Sequence, residues 1–211
     1  FSGFLMKDKP DFPYLCLVVS GGHTLLLLVE GDTQITKLGS TIDDAAGEAF
    51  DKISKLLGLG YPGGPKIQEA AEEQRNDFAN FPIARCKNEY DFSFSGLKTS
   101  VLRFIQKEYG DASKIPAADI PLIAASFQNS AVRALLINTE KALNKFNVNS
   151  ISLVGGVAAN KRLRDDFEKI ASKYKKNLII PSLEFCGDNA AMIAYRGLKL
   201  HQAGIKYGYD F

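Results

Sequence analysis

The chain has 211 residues, of which 45% are hydrophobic and 24% are charged, as in a globular protein with a sizeable core. Its 26 basic and 24 acidic residues leave a net charge of +2, which excludes a polyanion-binding tail but not a local basic surface. Three widely separated cysteines exclude a disulfide framework and a CxxC zinc module, and they favour a reducing compartment.

The first ten residues carry no targeting signal. They lack the basic start, the apolar middle and the small-residue cleavage site of a signal peptide. We also find no apolar run that approaches the roughly 20 residues of a membrane span, so we expect no membrane partner. Since the chain lacks an initiator methionine, we expect it to begin partway through a longer protein.

Three strands joined by glycine turns come next. Residues 14–20, 24–29 and 33–38 have the apolar, β-rich composition of strands. The turns fall at Gly21-Gly22 and Gly31-Asp32. Consecutive strands with short connections predict an antiparallel meander.

The pattern then becomes helical. Apolar residues recur at three- and four-residue spacing from Asp43 to Leu57, with acidic residues at the start and Gly58 just past the end. The two prolines and two glycines of Tyr61 to Pro65 predict a loop. Three more helices are predicted, over residues 67–78, from 93–99 to about 109, and from 119 to about 146.

Two β-α units close the chain. Residues 150–154 read as a buried strand, which a Gly155-Gly156 turn joins to a helix over 160–174. A strand over 177–180 and a helix from about 188 to 202 follow, and Gly204 ends that helix. A meander followed by parallel β-α units predicts an α/β fold, the ribonuclease-H-like domain of the actin-like ATPase and sugar-kinase superfamily.

Two glycine turns are candidate phosphate sites. In the hairpin Ser20 to Thr24, glycines allow positive φ and let backbone N–H groups approach an anion, although a plain turn explains them equally well. The strand-GGVAAN-helix segment from Gly155 places glycines where a nucleotide's phosphate or sugar is bound in other proteins. There Asn160 is either a helix cap or an adenosine contact.

Two aspartates are further candidates. Asp188 precedes an apolar helix, so it is either an N-cap or a metal ligand. The sequence contains only two histidines and no HExxH, Cys/His cluster or EF-hand loop, so it does not encode a complete metal site. Asp51 is either a solvated helix-face residue or a ligand contact. The remaining candidates have a plainer structural reading. Lys98 is expected to be a surface lysine, and the core is expected to contain Phe92, Phe94 and Phe127.

Taken in order, the motifs resemble one family. VVSGGHT, DDAAGEAFDK, GLGYPGGP, FSFSGLKTS, AASFQ, GGVAANKRLR and CGDNAAMIA follow one another as in the tRNA threonylcarbamoyl transferases, formerly called glycoproteases. The match runs from about Phe12 to Gly204. The resemblance implies transfer of a threonylcarbamoyl group from threonylcarbamoyl-adenylate to the exocyclic amine of the adenosine 3′ of the anticodon in tRNAs that read ANN codons.

The resemblance also implies a site between two actin-like domains. Val18, Val19, Ser20, Gly21 and Gly22 match the segment that meets the phosphate and carbamoyl end of the adenylate. Asp51, Gly64 and Asn160 match contacts to its sugar or base, and Asp188 matches the carboxylate ligand of an iron or zinc ion. No residue stands out as a general base, so the catalytic residue is left unassigned.

The departure from the family is large. Its other two metal ligands are histidines of an HxxxH motif, which would fall just before residue 1, and its N-terminal domain would also be absent. We therefore expect residues 1–13 to be a remnant of the inter-domain connection and residues 14–211 to be the C-terminal domain, with a helical insertion at about 60–120. Such a chain would hold half of a site and be inactive alone.

Partners and alternatives follow from the same resemblance. The expected partners are tRNA, the adenylate, and either a smaller actin-like paralogue with an ATPase subunit in a bacterial cytoplasm or a second copy in the mitochondrial matrix. Three alternatives remain, namely a metalloprotease, an actin-like ATPase or sugar kinase, and a non-catalytic scaffold paralogue. The sequence speaks against the first because it lacks a zinc-bound water site with a general base.

Overall fold

A computed structural model of the chain describes residues 1–74 and 78–205. The end of the helix predicted over 67–78 and the last six residues of the predicted domain lie outside that part.

A five-stranded mixed sheet forms the centre of the molecule. Its strands are β1 (Tyr14–Val19), β2 (Thr24–Val29), β3 (Ile35–Ser40), β4 (Ser150–Val154) and β5 (Asn177–Ile179), in the spatial order β3-β2-β1-β4-β5. The first three pair antiparallel, while β4 lies parallel to β1 and β5 parallel to β4. The predicted meander and β-α units are therefore confirmed, although β3 lies two residues later than predicted.

Burial explains the position of each strand. Every residue of β4 is buried and β1 is nearly as buried, as expected of strands that are covered on both faces. At one edge, the first half of β3 is exposed. The most buried of these strands are thus β1 and β4, and these two strands lead into the glycine motifs.

In the described residues, 1–74 and 78–205, seven α-helices surround the sheet. They are α1 (Ala46–Leu56), α2 (Gly63–Ala71), α3 (Ser95–Tyr109), α4 (Ile120–Lys145), α5 (Lys161–Tyr174), α6 (Leu183–Cys186) and α7 (Ala190–Gln202). Three 3₁₀ turns, Ser2–Leu5, Ala112–Lys114 and Gly156–Ala159, complete the elements described. The predicted bounds of α1, α3, α4 and α5 agree with these to within about three residues.

The loop predicted over Tyr61 to Pro65 is confirmed for Tyr61 and Pro62 and wrong from Gly63 onward. Helix α2 begins at Gly63, with Pro62 at its N-cap and Pro65 in its first turn. Proline is tolerated in a first turn because the N–H groups there have no partner within the helix. The dense proline and glycine content therefore marks the start of a helix.

Helix α4 runs through the core. Its residues Phe127 and Ala131 are fully buried, as are Phe92 and Phe94 near α3, so the core assignment of these phenylalanines is confirmed. By length and composition alone α4 is able to cross a membrane, because an 18-residue apolar window in it has a mean hydropathy of 1.4. The prediction that no apolar run approaches the length of a membrane span is therefore wrong. Of that apolar window, 67% is packed inside the domain.

The N-terminal segment and α7 meet on one face of the sheet. The rings of Phe4 and Tyr195 stack there with centroids 5.4 Å apart, and Phe4 also packs against Tyr14 of β1. No residue of α7 is fully buried, and Ile193 and Leu198 on it are 66% and 52% exposed. Helix α7 thus lies on the domain with much of its apolar surface uncovered.

Candidate functional site

The two glycine turns meet at one edge of the sheet. Strands β1 and β4 are parallel neighbours, so the hairpin after Val19 and the turn after Val154 begin about 5 Å apart. Gly155 has a φ of 97°, and a Cβ there would lie 2.3 Å from the Val19 carbonyl oxygen. Only glycine fits such an approach, which explains the residue type at the start of this turn.

Helix α1 closes the third side. A Cβ on Gly47 would lie 2.7 Å from the Ser20 carbonyl oxygen and 2.8 Å from the Gly21 Cα, and the Gly47 N–H donates to the Ser20 carbonyl. The first turn of α1 is therefore packed directly onto the hairpin. These contacts bring the hairpin, α1 and the β4–α5 turn around a common hollow.

A cavity of about 270 Å³ occupies this hollow. Four of the predicted site residues line it: Gly21, Asp51, Gly64 and Asn160. Val18, Val19, Ser20 and Gly22 stand next to the lining without being part of it, and Val18 and Val19 are engaged in the β1–β2 ladder. Asp188 is not part of the lining either.

The hairpin is built differently from the expectation. The Ser20 N–H donates to the His23 carbonyl and the His23 N–H to the Ser20 Oγ, which closes the turn. Neither Gly21 nor Gly22 has a positive φ, so the conformational argument made for them is wrong. Within residues 1–74 and 78–205 their N–H groups have no acceptor, and a Cβ added to either glycine would meet no atom within 4 Å. Both amides are thus free to bind a ligand.

Asp51 is held by the start of α2. Its Oδ1 accepts a hydrogen bond from the Gly63 N–H at 2.7 Å, and a Cβ on Gly63 would lie 2.5 Å from the Asp51 Cα. One carboxylate oxygen therefore fixes the helix start and the other remains free to accept a hydrogen bond. This geometry replaces the solvated helix-face reading of Asp51.

Asn160 is the N-cap of α5. Its Oδ1 accepts from the Leu163 N–H at 3.0 Å, and its Nδ2 donates to the Gln128 Oε1 of α4 at 2.8 Å. Both side chains are buried. Asn160 thus shapes the cavity wall, and one Nδ2 hydrogen remains beyond these two bonds.

Asp188 lies in the exposed segment between α6 and α7. The cap of α7 is its neighbour Asn189, whose Oδ1 accepts from the Met192 N–H at 2.9 Å, so the N-cap reading of Asp188 is wrong. In the part of the chain that the structure describes, the Asp188 carboxylate has no protein partner, and no three His, Cys, Asp or Glu side chains gather as a metal site would require. The described residues do not by themselves fit a metal ion.

Among the lining residues that were not predicted, two have polar side chains, Gln68 and Tyr61. Gln68 lines it from α2, with its Oε1 accepting from the Lys161 N–H at 2.7 Å. Tyr61 stands at the rim and is 81% exposed. Gln68 falls one helical turn after Gly64, so a helix start at Gly63 in the prediction would have placed both on one face.

A larger groove of about 620 Å³ lies elsewhere, between α4 and residues 80–93. Arg85, Arg133 and Lys141 face it together with Glu89 and Asp91, and none of the nine predicted site residues does. Size alone does not identify a site, and the smaller cavity is the one at the end of the parallel strands, where ligands bind in α/β folds.

Comparison with known proteins identifies close relatives. The family described as TsaD: tRNA N6-adenosine threonylcarbamoyltransferase matches residues 1–195. The chain is 52% identical to a protein of that name from Thermosipho africanus, covering 97% of this chain and 61% of the relative, and 47% identical to one from Dictyoglomus turgidum, covering 98% and 60%. The chain thus spans about three-fifths of the length of these curated relatives.

Two solved structures share the fold. One is the activator of the 2-hydroxyisocaproyl-CoA dehydratase from Clostridium difficile with bound ADPNP, with a TM-score of 0.55 and 15% identity over 98% of this chain and 68% of that one. The other is HypF from T. kodakarensis, with a TM-score of 0.57 and 21% identity over 84% and 22%. These likenesses support the actin-like ATPase fold predicted from the sequence.

Proposed function

The chain belongs to the tRNA N6-adenosine threonylcarbamoyltransferase family, and from this we propose that it forms the adenylate-binding half of an enzyme that modifies tRNA. The reaction is the transfer of a threonylcarbamoyl group from threonylcarbamoyl-adenylate to the exocyclic amine of the adenosine 3′ of the anticodon in ANN-reading tRNAs. The observation that carries the proposal is the cavity between the hairpin, α1 and the β4–α5 turn.

The lining of the cavity suits an adenosine. Phe50, Pro62, Pro65 and Val157 give it an apolar wall that a purine ring would cover. The free oxygen of Asp51 accepts hydrogen bonds, which the hydroxyl groups of a ribose donate. Gly64, in the first turn of α2, leaves the backbone open to close approach, since nothing lies within 4 Å of its Cβ position.

The hairpin suits the phosphate. The N–H groups of Gly21 and Gly22 have no acceptor in the described part of the chain, Gly21 lines the cavity, and backbone N–H groups of this kind bind anions. We assign the phosphate and carbamoyl end of the adenylate to this turn and its base and sugar to the α1–α2 side. In that orientation the reacting carbonyl would lie beside the hairpin, at the carboxyl end of β1.

The chemistry asks mainly for orientation. The amine nitrogen forms a bond to the carbamoyl carbon, the bond from that carbon to the phosphate oxygen breaks, AMP leaves with the electron pair, and the amine loses one proton. An aromatic amine is a poor nucleophile, so holding the two reactants in line contributes much of the rate. Amides that hold the departing phosphate stabilise the charge that it gains.

Asp188 is proposed as one ligand of an iron or zinc ion in the intact protein. The free, exposed carboxylate supports this role, and the other ligands would come from two histidines outside this chain. When bound, such an ion would act as a Lewis acid and polarise the carbamoyl carbonyl.

The partners remain proposals on the same footing. The family name supports tRNA as the substrate. A smaller actin-like paralogue with an ATPase subunit, or a second copy of the protein, would complete the assembly. We place the protein in the cytoplasm, with the mitochondrial matrix as the counterpart for the dimeric form.

The test uses the intact protein, threonylcarbamoyl-adenylate and an ANN-reading tRNA, with the modified nucleoside measured by mass spectrometry. Asp51→Ala is expected to weaken adenylate binding about tenfold, since a hydrogen bond to a charged group contributes roughly 1.5–3 kcal/mol. Asp165→Ala, on the exposed face of α5, is the control. Absence of transfer by the unmodified protein would refute the proposal, and ATP hydrolysis or peptide cleavage lost with Asp51→Ala would favour the alternatives.

A further inference from the structure

Arg164, in the first turn of α5, touches two segments of the site at once. Its Nε donates to the carbonyl of Ala158, inside the 3₁₀ turn that walls the adenosine cavity. Its Nη2 lies 3.5 Å from the carbonyl oxygen of Pro181 and 3.7 Å from the Sγ of Cys186. Pro181 and Cys186 bracket the short segment that leads to Asp188.

Within the described residues, the other hydrogen bonds that side chains make in this segment do not reach the site. Helix α6 is four residues long and has no side-chain cap. Cys186 is buried in the main core, its Sγ donates to the Pro181 carbonyl at 3.4 Å, and α6 packs against the 3₁₀ turn Gly156–Ala159. Among the described residues, Arg164 adds to this packing the side-chain hydrogen bonds that join the segment to the same turn.

The chemistry of the side chain suits this task. A guanidinium presents donors in several directions of one plane, so a single side chain reaches carbonyls on two segments. Asp188 follows Cys186 by two residues, which limits it to about 7 Å from the anchored Cα. Fixing Cys186 therefore restricts where the Asp188 carboxylate can go.

We infer that Arg164 is a positioning residue, which holds the Asp188 segment in register with the bound adenylate. This inference rests on the proposed function for its consequence in catalysis, but its structural part does not. Loss of Arg164 removes the hydrogen bond to the turn at Ala158 and those to Pro181 and Cys186, and it frees the segment over residues 181–188 to move relative to the cavity.

Arg162 provides a matched control. It lies two residues earlier on the same helix, is also half-buried, and bonds to Asp166 at 2.8 Å, within α5. Replacing it removes an arginine of similar exposure without touching either segment of the site.

The experiment measures amide hydrogen exchange in the intact protein and its variants. Arg164→Gln is expected to speed exchange over residues 182–188 by about tenfold or more, because hydrogen bonds to a charged group are lost. Arg164→Lys keeps the charge but loses the planar guanidinium, so its exchange rate over residues 182–188 should lie between those of Arg164→Gln and the unmodified protein. Arg162→Gln should exchange at the rate of the unmodified protein. Exchange in β1 and β4 should stay unchanged in all of them.

Activity gives the second readout. Arg164→Gln is expected to lower kcat at saturating adenylate about tenfold, with partial recovery in Arg164→Lys. Unchanged exchange over 182–188, the same acceleration in Arg162→Gln, or acceleration spread evenly over β1 and β4 would overturn the inference. If the unmodified protein has no transferase activity, the proposed function fails, whereas the exchange result still decides the role of Arg164.

Discussion

Asn160 and Gln128 form a buried amide pair that ties the start of α5 to the middle of α4, with 2.8 Å between Nδ2 and Oε1. The same Asn160 caps α5. One residue therefore fixes the turn that walls the cavity and links it to the core helix.

Replacing Asn160 with alanine should lower the free energy of unfolding by about 2–4 kcal/mol. The loss combines an N-cap, at roughly 1 kcal/mol, with a buried Gln128 oxygen left without its donor, at roughly 1–3 kcal/mol. Urea denaturation measures it. Adding Gln128→Leu should restore part of the loss, because no polar atom is then left unpaired. Strictly additive effects of the two changes would contradict the pairing.

Gly155→Ala should destabilise the protein by about 3 kcal/mol or more. The substitution places a Cβ against the Val19 carbonyl and puts alanine at a positive φ, both of which are costly. Gly156→Ala is the control, because its Cβ position is open and its φ is not positive. Equal melting temperatures for the two variants would show that the close approach of the two strand ends is wrong.

Stability should fall between about pH 9 and 11 through Cys16. Burial raises the pKa of its thiol from 9.0 to about 11, so the folded protein holds the thiol neutral where the unfolded chain ionises it. A raised pKa gives stability that is complete below pH 9 and lost as the pH rises through 11. Cys16→Ala should flatten this part of the pH profile, measured by urea denaturation. An unchanged slope would exclude Cys16 as its source.

Asp188→Ala should lower the metal content of the purified intact protein without changing its melting temperature. The carboxylate has no protein partner in the described part of the chain, and the adjacent Asn189 caps α7. Asn189→Ala should leave the metal content unchanged and lower the free energy of unfolding by about 1 kcal/mol, because the N-cap of α7 is lost. Elemental analysis and thermal unfolding separate the two. Full metal retention by Asp188→Ala would remove it from the ligand set.

Local patterns carried most of the fold. Strand alternation, helical spacing and glycine punctuation placed the sheet and most helices, because those signals depend on neighbours a few residues away. They failed where a partner lies far along the chain. Asp43 was read as an acid at the start of α1, yet its carboxylate accepts from the Phe94 and Ser95 N–H groups, fifty residues on, at the start of α3.

The site was predictable to a different degree. The resemblance of the ordered motifs to one family implied four residues that line one cavity, whereas their individual hydrogen bonds did not follow from the sequence. Asp188 and Asn189 are adjacent and both are good caps, so sequence alone did not decide which would be used. Gln68 was missed because its helix was started too late.

The uncovered apolar side of α7 sets a practical limit on handling this chain by itself. Ile193 and Leu198 face water, and surfaces of that kind favour association between molecules. A purified sample should therefore show light scattering that grows with concentration and with sulfate, and mild detergent should suppress it.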